Sequence, residues 1–140
     1  MEFIIKNLSD LPNVSKSFLE HFGHHKVFAF VAEMGTGKTT FILSLLNAMG
    51  IENTEGSPTY ALVNSYESNM YGKVLHMDLY RLDNQEDAFN LGLEEQLYGG
   101  VYCFIEWPEK IEKLLPLNTI WVYLRTNDDH SRILTIEYDH

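Results

Sequence analysis

Gly37, Lys38 and Thr39 close the run Ala32-Glu33-Met34-Gly35-Thr36-Gly37-Lys38-Thr39, which lies between an apolar stretch, Lys26 to Val31, and a helix-like stretch, Thr40 to Met49. Strand, glycine-bearing loop, Lys-Thr and helix in that order suit the phosphates of a nucleotide. The backbone N–H groups of Met34, Gly35, Thr36 and Gly37 turn toward the anion, and the following helix aims its positive dipole end at the same point. Lys38 reaches the β- and γ-phosphates, and the Thr39 hydroxyl is placed to bind Mg²⁺. The usual pattern is G-x-x-x-x-G-K-[ST]; Ala32 stands at its first position, which is tolerated wherever φ stays negative.

Such a loop needs a carboxylate at the end of a neighbouring strand to hold or orient the metal. Glu106 ends the apolar run Val101 to Ile105, and Asp78 ends Val74-Leu75-His76-Met77. A carboxylate closing a buried strand is costly unless it meets a cation or donors. The Glu106 strand reads as central, so Glu106 is assigned with Thr39 to the metal. Asp78, sharing one strand face with His76 and Tyr80 by the period of two, is assigned to orienting an attacking water or a water on Mg²⁺. The expected catalytic set is Lys38, Asp78 and Glu106. Ser57 and Thr59 stand where a γ-phosphate-sensing switch segment would lie, although turn formation beside Pro58 explains them equally. Arg81 can steady phosphate charge or pair with Asp83 or Glu86, and Trp107 can cover the site or fill core.

The elements that must position these residues are legible along the chain. Glu2 to Lys6 reads as a strand. Ser9 or Asp10 caps a helix carrying Leu11, Val14, Phe18 and Phe22 on one face and ending at Gly23. Lys26 to Val31 is a strand, and the helix from Lys38 buries Phe41, Ile42, Leu45, Leu46 and Met49 before stopping at Gly50. Tyr60 to Glu67 and Lys73 to Tyr80 form an antiparallel hairpin. Asn84 to Leu97 is helical but interrupted near Gly92. Val101 to Trp107 is a strand covered on both faces, and Pro108 opens a helix with Ile111, Leu114 and Leu115 inward. Ile120 to Arg125 and Ile133 to Tyr138 close the chain with a second hairpin. The expected fold is a single α/β domain over 1–140, P-loop NTPase-like and three-layered, its mixed sheet parallel at the core and antiparallel at the edges.

Bulk properties bound the function. At 140 residues with 45% hydrophobic and 13% aromatic content, the chain is globular and forms one domain. No run approaches the roughly 20 apolar residues of a membrane span, and the N-terminus lacks a signal-peptide pattern. The one cysteine, Cys103, lies in an apolar run and reads as a buried thiol, consistent with the cytoplasm. His24 and His25 read as a turn. A net charge of −10 argues against a broad nucleic-acid surface, so any RNA connection runs through a partner or a small local site.

Four blocks occur in order: Ala-Glu-Met-Gly-Thr-Gly-Lys-Thr-Thr (32 to 40), Ser-Pro-Thr-Tyr-Ala-Leu-Val-Asn-Ser-Tyr (57 to 66), His-Met-Asp-Leu-Tyr-Arg-Leu (76 to 82) and Ile-Glu-Trp-Pro-Glu (105 to 109). Together they resemble the bacterial tRNA threonylcarbamoyladenosine biosynthesis ATPase, the TsaE family. The resemblance implies a small ATPase, with ATP and Mg²⁺ as cofactors, that does not modify tRNA itself. It implies that the protein joins the TsaD–TsaB transferase heterodimer, whose repeated transfer to the adenosine beside the anticodon of ANN-decoding tRNAs it supports. Carried over, Lys38 binds phosphates, Thr39 and Glu106 hold Mg²⁺, Asp78 belongs to the reactive side of the nucleotide, and Arg132 lies by the adenine.

Three other readings make different demands. A small-molecule kinase would need basic residues to clamp a second substrate, and the chain has only 10 Lys and Arg, with no lid insertion evident. A GTPase switch would need an N-K-x-D-like guanine reader, and no such run is present. A nucleotide-binding scaffold without catalysis would keep its partner function after Glu106→Ala.

Overall fold

A computed structural model of the chain describes residues 1–33, 37–54, 62–83 and 85–138. Among these residues seven strands form one sheet: β1 (Glu2–Ile5), β2 (Val27–Ala32), β3 (Val63–Ser68), β4 (Gly72–Asp78), β5 (Tyr102–Glu106), β6 (Ile120–Thr126) and β7 (Arg132–Glu137), in spatial order β1-β7-β6-β2-β5-β4-β3. The four inner strands β6, β2, β5 and β4 run parallel, and β1, β7 and β3 add antiparallel pairings at the two sides. The expected mixed sheet with a parallel core is borne out. All five residues of β5 are buried, as a parallel strand covered on both faces requires.

Helices cover both faces. α1 (Leu11–Phe22) and α2 (Lys38–Ala48) pack on one face through Phe18, Phe41, Ile42, Leu45 and Leu46, against Phe28, Phe30 and Phe104 of the sheet. Phe18 anchors this layer, its ring 5.6 Å from both Phe28 and Phe41. α3 (Gln85–Asn90), α4 (Leu93–Leu97) and a 3₁₀ segment, Pro108–Leu114, cover Leu75, Met77, Cys103 and Ile105 on the other. Burial there pushes the Cys103 thiol up to about 12, so it stays a protonated core residue.

Local chemistry explains where elements begin and end. A 3₁₀ turn with its own cap leads into α1. Asn7 accepts from the Ser9 N–H at 3.1 Å, and the Asp10 carboxylate accepts from the N–H groups of Lys6 and Asn7, a reciprocal cap on the 3₁₀ turn Leu8–Asp10. Asp10 stands at the N-cap position of α1, as expected, but its side chain caps the preceding turn and makes no capping bond to the helix. Gly92, at φ +74, separates α3 from α4 as the sequence suggests. The segment after Pro108 is 3₁₀ with a kink at Ile111 (φ −134) rather than a regular α-helix, with Ile111 buried and Leu114 only partly so. β4 ends at Asp78, short of the expected Tyr80: the Leu79 N–H makes the last bond to β5, donating to the Glu106 carbonyl at 3.1 Å, and the Tyr80 N–H turns back to donate to Asp78 Oδ1 at 3.2 Å.

Candidate functional site

The carboxyl ends of β2, β4 and β5 meet beside the first turn of α2, the edge of an open parallel sheet where ligands bind. Register aligns them: Phe30 of β2 and Asp78 of β4 both pair with Glu106 of β5. Gly37 precedes α2 with φ +96, a conformation that favours glycine, and the loop can therefore turn directly into the helix at Lys38. Met34, Gly35 and Thr36 of the loop, and Ser57 and Thr59, lie outside the described residues.

Glu106 is only 3% exposed. Its Oε1 accepts the Thr39 hydroxyl at 2.8 Å, and its Oε2 lies 2.6 Å from His76 Nε2. Burial alone would raise this carboxyl. The hydrogen bond and charge of His76, the Thr39 hydroxyl and the Lys38 ammonium outweigh it and hold Glu106 below the ordinary glutamate range. Lys38 is itself buried, with Nζ 4.1 Å from the centroid of the Trp107 ring, a cation–π contact. Trp107 adopts φ +60, ψ 49, an outlier for a bulky residue. Pro108 disfavours the right-handed helical region at the residue before it, and the left-handed turn accompanies a ring seated over Lys38. The Tyr80 ring packs on Trp107 at 5.0 Å. The ring of Trp107 thus meets Lys38 while also packing against the core cluster of Leu79, Ile105 and Ile111.

Asp78 is fixed by its backbone. Its N–H donates to the Leu62 carbonyl at 2.9 Å, and its Oδ1 accepts the Tyr80 N–H at 3.2 Å. Burial raises its pKa above the ordinary aspartate value, with the Glu106 charge adding to the rise, while the Tyr80 hydrogen bond, His76 and Lys38 oppose it. Arg132 opens β7 and reaches the loop: its Nε lies 3.8 Å from the position a Cβ would take on Gly37. With Gly37, Thr40, Ile5, Leu11 and Leu124 it lines a cavity of about 300 Å³ next to the loop. Sequence reasoning named Lys38, Thr39, Asp78, Glu106 and Arg132, and the fold gathers all five at this edge. It gave no role to His76. The signal available was a histidine inside an apolar strand, where a buried polar ring demands a partner.

Residues 5–134 match the family model for the threonylcarbamoyl adenosine biosynthesis protein TsaE. The chain belongs to the TsaE family. It is 33% identical to the TsaE protein of Rickettsia bellii over 98% of this chain and 94% of the relative. It is 37% identical to that of Treponema pallidum over 74% of this chain and 75% of the relative. The crystal structure of YdiB from Bacillus subtilis superimposes with a TM-score of 0.78, 24% identity and coverage of 97% of this chain and 83% of that one, which shows the shared fold. Involvement in tRNA threonylcarbamoyladenosine biosynthesis and nucleotide binding follow from the family. No helix among the described residues of this TsaE-family protein is long and apolar enough to cross a membrane.

The raised Asp78 carboxyl yields a stability prediction. A folded-state pKa above the unfolded one means that folding favours the protonated form, so this group's contribution declines as pH rises through that interval. At neutral pH the ionised Asp78 therefore costs stability. Asp78→Asn keeps the acceptor for the Tyr80 N–H and removes the charge. Its melting temperature at pH 7 is expected to equal or exceed the parent's while ATP turnover falls. A clearly lower melting temperature would contradict this account of Asp78.

Proposed function

We propose that this TsaE-family protein is a cytoplasmic ATPase subunit that binds and hydrolyses ATP with Mg²⁺ to support turnover of the TsaD–TsaB transferase heterodimer. The observation that carries the reading is the Thr39–Glu106 contact of 2.8 Å at the head of α2, beside the buried Lys38. A hydroxyl and a carboxylate are hard oxygen donors of the type Mg²⁺ takes. Mg²⁺ usually binds one or two protein oxygens and completes its shell with water and substrate phosphates, so the pair fits the ion. Thr39 and Glu106 would hold it, and when bound it neutralises phosphate charge.

This chain's own residues supply the rest. Gly37, with Met34, Gly35 and Thr36 of the same loop, is assigned to binding the phosphates. Lys38 leaves the Trp107 ring for the β- and γ-phosphates, exchanging a cation–π contact for stronger charge-assisted hydrogen bonds. Asp78, held near Glu106 and Lys38, orients the attacking water. Arg132 stacks on or borders the adenine in the adjoining cavity, whose apolar wall of Ile5, Leu11 and Leu124 suits a flat base. With a net charge of −10, tRNA contact is indirect, through the transferase complex.

Calorimetric titration with ATP and with GTP, each with Mg²⁺, tests the assignment. ATP is expected to bind at least about tenfold more tightly, the discrimination of one good hydrogen bond to the base. Equal affinities would remove adenine from the cavity, and binding of neither would overturn the nucleotide reading.

A further inference from the structure

Glu106 meets two side chains through different carboxylate oxygens: Oε1 meets Thr39 and Oε2 meets His76. Thr39, on α2, is a residue the proposed function already uses. His76, on β4, is not. The ring of His76 is fully buried, and its Nε2 lies 2.6 Å from Glu106 Oε2. Strand register makes this possible: His76 pairs with Phe104, and Glu106, two residues further along β5, pairs with Asp78. His76 and Glu106 are therefore diagonal neighbours on one sheet face. The other ring nitrogen, Nδ1, is buried and has no hydrogen-bond partner among the described residues. A phenylalanine or leucine at this place in the apolar layer would avoid that unmet hydrogen bond. What the histidine gives in return is the contact with Glu106.

We propose that His76 is a positioning residue: its Nε2–H holds Glu106 Oε2, fixing the carboxylate so that Oε1 faces Thr39 and the metal position. The proposal rests on the assignment of Glu106 as a metal ligand. Residues that orient a ligating carboxylate typically change metal affinity by about 10–100-fold when removed, because a free carboxylate must be ordered again at each binding event. The single hydrogen bond also explains why a histidine with one idle nitrogen suffices. Reach from the backbone to Glu106 is what the position demands, and only the distal nitrogen of the ring has it.

Reach can be tested apart from polarity. The amide nitrogen of glutamine occupies roughly the place of Nε2, and that of asparagine roughly the place of Nδ1. His76→Gln therefore keeps a donor for Glu106, whereas His76→Asn is equally polar but too short. Binding of Mn²⁺ to the complex of the full chain with ADP, followed by electron paramagnetic resonance, reads the metal site without turnover. His76→Asn is expected to weaken Mn²⁺ about 10–100-fold. His76→Gln should stay near the parental value, and metal-free ADP affinity should be unchanged in both. If His76→Asn does not fold, His76→Leu, which fills the space without a donor, carries the same expected loss. Parental Mn²⁺ affinity in the asparagine or leucine variant, or equal losses in the asparagine and glutamine variants, would overturn the proposal. Glu106→Gln separates the two assignments. If it leaves Mn²⁺ affinity unchanged, the metal-ligand reading of Glu106 falls and His76 with it. If it weakens Mn²⁺ while His76→Asn does not, only the role of His76 is lost.

Discussion

Lys38→Ala is expected to reduce ATP turnover by about 10²–10³-fold, the usual loss when one preorganised donor to developing charge is removed. Lys38 is the first residue of α2 and is buried at 9% exposure, with its ammonium on the Trp107 ring. The side chain is thus stored beside the phosphate position in a site that shields it from water, where its charge acts strongly. Alanine is the best helix former, so α2 still begins after Gly37 and the loss falls on the ligand. Some stability is lost too, since a cation–π contact of this kind contributes about 0.5–2 kcal/mol. Circular dichroism with stopped-time hydrolysis assays separates the effects. Parental turnover in a folded Lys38→Ala protein would remove the lysine from the mechanism.

Glu106→Gln is expected to lower Mg²⁺-dependent hydrolysis at least about 10²-fold, since the metal's charge stabilisation amounts to several kcal/mol. Glutamine matches the glutamate in volume, but its amide offers one acceptor where the Thr39 hydroxyl and His76 Nε2 both approach. The variant should also respond differently to acid. Because Glu106 titrates below its ordinary range in the folded protein, its stabilising contribution is present above the unfolded value and is lost as pH falls through the folded one. Urea midpoints measured from neutral to acidic pH should therefore fall more steeply for the parent than for Glu106→Gln. Identical acid limbs would show that the carboxylate is not held by its neighbours.

The residues that do this were legible to different degrees. The loop from Ala32 to Thr39 and the strand ending at Glu106 carry local signals: small residues beside Lys-Thr, and an apolar run closed by one carboxylate. α2 follows from the helical spacing of its buried residues, and β2 and β5 from continuous apolar runs, since parallel strands are covered on both faces. The site depends further on pairings remote in sequence. That Asp78 and Phe30 both stand opposite Glu106 is a matter of register between β4, β5 and β2, and no local pattern sets it. The same holds for β1, which finds β7 at the far end of the chain, Glu2 pairing with Thr135. Arg132 reaches Gly37 only because β7 lies beside β6 and β6 beside β2. His76 could be placed on a face with Asp78, but which carboxylate that face meets required the neighbouring strand. The left-handed turn at Trp107 was equally hidden, since bulky residues rarely take it.

Arg132 lies beside Gly37 of the loop, and the cavity reading gives it to the base rather than to the γ-phosphate. An arginine finger contributes about 10³–10⁵ in rate where one is present. Slow turnover by the isolated chain is therefore expected, with the missing stabilisation supplied on assembly. The most direct test is Mg²⁺-dependent ATP hydrolysis by the purified protein with and without the TsaD–TsaB pair. The account predicts a low basal rate that the pair raises and that Lys38→Ala lowers about 10²–10³-fold in both settings. Equal rates for the free and assembled protein, or phosphate appearing on a small acceptor instead of in solution, would contradict it.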